Sequence, residues 1–424
     1  MRPILKPGLR RLWHNGSTLQ LGIDPASAVL VTGLRPAHTA VLDALDGRRT
    51  LEQVRMRIGT GGQDLLDLLD RAGLLDDAAP RPGAAPLPTA ERDRLLPDLA
   101  ALSVHSADPG RPSRVLHARR AARVLVRGAG RVGAQIAALL AAAGVGRVVV
   151  DDPAMTTPAD VSPGGLGLED IGRPRALAAS AAMDRVRREE AEPRLRPAAG
   201  RAVPPGSGAA PGPSRFTADL TVLAPVGPPT VAPVDSLDLE AAGGAHLLTG
   251  VRETSGIVGP LVVPGVTACL HCQHLHRQGL DPAWPLLAMQ LVRPRTIGQD
   301  PCEITLASLV AALTAMQALA YLDRAATPSS RAGRPRGVAN RPTPQSGHLS
   351  DNSDFTRGQT TSNTVIYATS IPSPPPLPVT ADGTLEVAVP DWRIRRRSWP
   401  VHPNCPCRTA RTAAAGALGP PVPR

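Results

Sequence analysis

Residues 119–153 read RRAARVLVRGAGRVGAQIAALLAAAGVGRVVVDDP, and their order decides the fold. Val124, Leu125 and Val126 make a short apolar run rich in β-branched residues, which predicts a strand. Gly128, Gly130 and Gly133 follow in the spacing G-x-G-x-x-G. Ile136, Ala137, Leu139, Leu140 and Ala143 then predict an apolar helix, closed by Gly144 and Gly146. Val148, Val149 and Val150 predict a second strand that ends in Asp151 and Asp152. The glycine spacing alone is a weak signal. Between a strand and a helix, with an acid about twenty residues on, it predicts a nucleotide-binding βαβ unit. The glycines permit a tight turn, the helix N-terminus offers free N–H groups to phosphate, and Asp151 is placed to accept ribose hydroxyls. A Rossmann-like layer kept only as scaffold has the same pattern, so both readings stand at this point.

Composition sets the frame around that unit. The chain has 424 residues, enough for two or three domains with a substantial core. Aromatic residues are only 2% and there are 47 prolines, so long segments are expected to lack packed structure. The net charge is +11, but arginines are scattered along the whole chain, and no specific nucleic-acid partner is expected. The start, MRPILKPGLRRLWHNG, has no apolar core of the signal-peptide kind. No uninterrupted apolar run reaches the roughly 18–20 residues of a membrane span. The expectation is a cytoplasmic protein without a membrane partner.

Upstream, residues 1–78 read as a separate small module. Arg10–His14, Thr18–Gly22 and Ala28–Thr32 predict three short strands around the turns Asn15-Gly16 and Asp24-Pro25. PAHTAVLDALDG predicts a helix, Thr50 caps a second with Leu51, Val54 and Ile58 on one face, and Asp64–Ala72 predicts a third. Strands followed by three short helices describe a winged-helix-like α+β fold. A DNA-binding role is disfavoured, because Asp64, Asp67 and Asp70 on the presumed recognition helix would repel phosphates.

Five cysteines remain, four of them in two close pairs. Cys269-Leu-His-Cys272 and Cys405-Pro-Cys407 suit a tetrahedral metal such as structural zinc, stapling the chain's end onto the central domain. His271, His274, His276 and His402 lie close enough in sequence to replace a sulfur, and a redox pair is the third reading. Cys302 reads as a small buried residue rather than a nucleophile.

Two resemblances follow from these residues. VLDALDGRRTLEQV and DLLDLLDRAGLLDD, within residues 1–78, resemble the PqqD-like domains that recognise leader peptides. That resemblance implies that a peptide adds as a strand to the sheet edge and packs against the third helix, where Leu69 is expected to matter. The glycine turn, GRPRA at 172–176, CLHC, the helix VAALTAMQALAYLD and the second cysteine pair resemble ThiF-type members of the ubiquitin-activating-enzyme superfamily. Their fold implies ATP with Mg²⁺, adenylation of a protein C-terminus, a structural Zn²⁺ and a homodimer. Carried over by position, Gly128, Gly130, Gly133 and Asp151 match the nucleotide turn and ribose acid. The family's phosphate-contacting lysine falls at Arg175, and a turn glycine falls at Arg131. Its metal-side aspartate falls at Val226, and the arginine after its second strand has no counterpart in DVSPGGL. The phosphate machinery is therefore expected to be incomplete.

The two modules together resemble the leader-peptide-binding proteins of azol(in)e-peptide cyclodehydratase systems. That implies binding a precursor peptide and presenting it to a YcaO-type enzyme. An active adenylyltransferase is the alternative, and a nicotinamide-linked oxidoreductase a distant third. The expected organisation is a peptide-recognition domain (1–78), a linker with a short helix (79–113), an α/β Rossmann-like domain (114–326), a disordered insertion (327–377), two C-terminal strands with the second cysteine pair (378–408) and a flexible tail (409–424).

Overall fold

The computed structural model describes residues 1–25, 27–79, 87–187, 216–293, 300–326, 357–361, 364–368, 377–389 and 391–408. The strands β1 (Pro3–Leu5), β2 (Arg11–Asn15), β3 (Thr18–Leu21) and β4 (Val29–Thr32) come first. Helices α1 (Pro36–Ala44), α2 (Leu51–Ile58) and α3 (Gln63–Arg71), the strand β5 (Leu75–Asp77) and helices α4 (Thr89–Val104) and α5 (Arg111–Ala121) follow. The glycine region gives β6 (Arg123–Arg127), α6 (Gly133–Ala142), β7 (Arg147–Asp151) and α7 (Arg175–Arg187). Next come β8 (Leu220–Leu223), α8 (Pro233–Ala241), β9 (His246–Arg252), β10 (Ser255–Val262), α9 (Leu270–Leu280), α10 (Trp284–Leu291) and α11 (Ile304–Leu322). The last strands are β11 (Arg357–Thr361), β12 (Thr364–Ala368), β13 (Gly383–Ala388) and β14 (Arg393–Ser398).

The chain divides into two compact units, Met1–Ala118 with Arg324–Pro375, and Arg119–Asp323 with Pro376–Arg424. In the first, β2, β3 and β4 form an antiparallel meander, with β1 and β5 paired separately. Alternation along β3 and β4 turns Leu19, Leu21, Val29 and Val31 inward, onto Val41, Leu45 and the α3 leucines. Thr50 and Gln53 form a reciprocal capping box at the start of α2, as its sequence requires. Leu65, Leu66, Leu68 and Leu69 are all buried in α3. Leu69 is thus a core residue and not a peptide-facing one. Its replacement by a charge would test folding, not binding.

The segment expected to be a disordered insertion departs from that reading. Residues 357–361 and 364–368 are strands, and β12 pairs antiparallel with β4, Ile366 opposite Val31. The meander becomes a five-stranded sheet of order β11-β12-β4-β3-β2. The β-branched run Thr364-Val365-Ile366 supplies the strand propensity inside an otherwise polar stretch. The rest of 327–356 and 369–376, and the expected tail after residue 408, lie outside the described residues.

The second unit carries a seven-stranded sheet of order β14-β13-β10-β9-β8-β6-β7. β7, β6, β8 and β9 run parallel, and β10, β13 and β14 continue antiparallel. The period of two in the strands divides two cores. Val222, Leu247 and Leu261 face α6 and α11 on one side, while Leu223, Leu248 and Val262 face the cysteine pairs on the other. The segment from Ile304 to Ala325 is long and apolar enough to cross a membrane. Its Leu306, Val310, Ala311 and Ala318 are instead packed in the core against the sheet and α6. This mixed α/β architecture is the Rossmann-like class expected from the glycine region.

Candidate functional site

The turn after β6 is shaped by its own packing. Gly128 has φ +94°, and a Cβ there would run into the Ala224 carbonyl. A Cβ on Gly133 would run into the Gly128 carbonyl oxygen. Gly130 is different: its nearest obstacle would be a Val226 methyl at 2.8 Å. Two of the three glycines are therefore required by the fold whether or not a nucleotide binds.

Asp151 sits at the end of β7 as expected, with its side chain 62% exposed and Arg127 Nε 3.7 Å away. The neighbouring Asp152 is the residue that holds the turn. Its Oδ2 accepts from the Ala129 N–H at 2.8 Å, and its Oδ1 from the Ala154 N–H at 2.9 Å. Sequence reasoning passed over it, although the doubled acid at 151–152 was the signal: one carboxylate faces solvent and the next faces in.

A cavity of about 180 Å³ opens beside this turn, lined among others by Gly130, Arg131, Asp160, Arg175, Val226 and Cys302. That is small against the 300–1,000 Å³ usual for ligand pockets. Its two cations are already engaged. Arg175 donates through Nε and Nη2 to Asp160 at 3.0 and 2.8 Å, and its Nη1 lies 3.5 Å from Asp152. Arg131 donates to the carbonyls of Ala159 and Cys302 at 2.6 and 2.7 Å. Val226 puts a hydrocarbon where a metal-holding acid is expected. The Cys302 thiol is half-buried, and burial pushes its pKa up. A second cavity of about 430 Å³ shares Val251, Asp300 and Pro301 with the first.

On the opposite face of the sheet the four paired cysteines converge. Their sulfurs all lie within 4.8 Å of one another and all four residues are buried. Cys269 to Cys272 is 3.7 Å, Cys269 to Cys405 is 3.5 Å and Cys272 to Cys407 is 3.4 Å. Sulfurs 2.3 Å from a tetrahedral zinc would be about 3.8 Å apart, a spacing inside the range this cluster spans, so the four fit such an ion with small shifts. The hydrogen bond from Cys269 holds the Cys272 thiol down at about 4. Burial pushes Cys407 up to about 12 and raises Cys405. A divalent cation suits this set, because it favours the thiolate at every ligand. None of the four histidines joins the group. His274 Nδ1 accepts from Trp284 Nε1, His276 Nε2 lies 2.9 Å from the Pro400 carbonyl, His402 Nδ1 accepts from Asn404 N, and His271 Nδ1 lies 3.4 Å from Ser236 Oγ.

With this geometry in view, comparison with known proteins gives the class. Residues 111–190, which span the glycine turn and its flanking strands, match the ThiF family. A comparison with curated proteins finds no match. Among solved structures, E. coli MccB with ATP is similar at TM-score 0.57 and 13% identity, over 96% of this chain and 99% of that one. The microcin C7 biosynthetic enzyme MccB in complex with N-formylated MccA matches at TM-score 0.53 and 12% identity, over 96% and 99%. PaaA matches at TM-score 0.55 and 14% identity, over 93% and 99%. At such identities the likeness is one of fold.

Proposed function

We propose that the chain binds a precursor peptide and presents it to a modifying enzyme, and that its ThiF-type crevice does not adenylate. The observation that carries this reading is the state of Arg175 and Arg131. Both cations of the crevice are paired with internal acceptors, and Val226 replaces the acid that would hold metal-bound phosphates. Adenylation needs preorganised charge free to meet the triphosphate. Gly128, Gly130, Gly133 and Asp151 remain as a partial nucleotide seat, too little for chemistry. Peptide binding falls to the first unit, which resembles a PqqD-like module with a small antiparallel sheet of the kind that takes an added strand. The likeness to MccB, solved with the MccA peptide, supports a peptide as substrate class. The modifying partner is a YcaO-type enzyme, and the chain acts as a homodimer.

The adenylyltransferase alternative is favoured by one observation, the exposed Asp151 at the end of β7 on a fold that E. coli MccB uses with ATP. Titrating fluorescent candidate precursor peptides with the full chain tests the binding reading. A saturable rise in anisotropy is expected for at least one peptide. Failure of every peptide taken from precursors paired with YcaO-type enzymes would sink it.

One Zn²⁺ held by Cys269, Cys272, Cys405 and Cys407 completes the proposal, as a structural staple between positions 136 residues apart. The purified chain should carry about one equivalent of zinc, and Cys405→Ser should lose most of it and melt at least about 5 °C lower. Full zinc retention in Cys405→Ser would remove the assignment.

A further inference from the structure

The strand β4 has two sides. β3 covers one, at Leu19↔Val31 and Leu21↔Val29. On the other lies β12, with Val365, Ile366, Tyr367 and Ala368 opposite Thr32, Val31, Leu30 and Val29. β11 pairs with β12 in turn, and its backbone passes beside α3. The strands β11 and β12 therefore occupy that edge of β4 and the space next to the third helix. This is the place where an added peptide strand would lie, on the reading of the first unit given above.

We infer that β11 and β12 are an internal occupant of the peptide groove, which a precursor peptide must displace in order to bind. Two observations support it. The pairing is backbone to backbone and antiparallel, so it saturates the donors and acceptors that strand addition uses. The hairpin is remote in sequence from β4, so it is not part of the meander that shapes the first unit. A covalently tethered strand acts at an effective concentration on the order of millimolar. A free peptide at micromolar concentration competes poorly, so the groove opens only to a partner that binds better than the segment, or when the segment is drawn away. The inference rests on the peptide-binding reading, but its test does not need the natural peptide.

The probe is a labelled synthetic peptide of the segment itself, RGQTTSNTVIYA, added to full-length protein. In one variant, residues 357–368 are replaced by a Gly/Ser stretch of the same length, which preserves the tether. Ile366→Pro is the second variant; the proline ring and its missing N–H disrupt β12 while leaving the rest of the chain intact. The probe is expected to bind both variants saturably, and the unaltered chain at least about tenfold more weakly. Equal binding to all three chains, or no binding to either variant when circular dichroism shows it folded, would overturn the inference. If the probe binds the variants but no precursor peptide displaces it, the groove and its occupant stand and the presentation function falls.

Discussion

Asp151 and Asp152 show how far one residue step changes a role. Asp152 satisfies two backbone donors of the turn and faces Arg175, while Asp151 faces solvent. Asp152→Ala should destabilise the second unit by about 2–4 kcal/mol, because it strands two N–H groups and removes one partner of a buried cation. Asp151→Ala should change stability by no more than about 0.5 kcal/mol. Urea unfolding of the two variants checks the contrast, and comparable losses would contradict it. Lys6 offers a second test at this scale. It is buried, its Nζ donates to the Ser106 carbonyl at 2.7 Å, and burial lowers it from an ordinary 10.5 to about 8 despite Asp76 nearby. Below pH 8 the group is protonated in both states and adds no slope. Between about 8 and 10.5 the unfolded chain binds the extra proton, so this group makes stability rise with pH, by at most about 1.4 kcal/mol per unit. In Lys6→Met that contribution should vanish. An unchanged slope between pH 8 and 10, followed by denaturant midpoints, would show that Lys6 is not the source.

At the scale of elements, the glycine turn makes a distinction that its motif conceals. Gly133→Ala forces a Cβ onto the Gly128 carbonyl, and Gly128→Ala adds a positive φ, so both should leave little folded protein. Gly130→Ala meets only the Val226 methyl at 2.8 Å and should fold with a loss of about 1–2 kcal/mol. Thermal melts of the three variants decide it; a folded Gly133→Ala would show that the turn has slack it does not display. The same turn was legible in the sequence because its signal is local: β-branched run, glycines, apolar helix, β-branched run. β10 was not. Its Gly259-Pro260 argues against a strand, yet a register shift against β9 between Val258 and Leu261 accommodates it. α5 was hidden by Pro112, which reads as a breaker but is tolerated in a first helical turn. The hairpin 357–368 was hidden by the polar residues around it, since strand pairing with β4 is a long-range property. The pairing of Arg175 with Asp160, 15 residues upstream, was equally out of reach: spacing marks a cation, but only the fold shows its counter-ion.

For the whole molecule, the proposal assigns peptide binding to the first unit, while in the second the two arginines beside the glycine turn, Arg175 and Arg131, are engaged by internal acceptors. Losing one charged contact to a transition state commonly costs a few kcal/mol, or about 10²–10³ in rate. On the ThiF resemblance the lysine position falls at Arg175, which is paired with Asp160, the turn glycine at Arg131, which is held by two carbonyls, and the metal-side acid at Val226, so the proposed losses compound. The central claim is that this chain holds a peptide without activating it. ATP–pyrophosphate exchange by the full-length protein, with Mg²⁺ and a peptide already shown to bind, tests it most directly. The account predicts no exchange above the protein-free background. Robust exchange that Asp151→Ala abolishes would contradict it and make this chain an active adenylyltransferase.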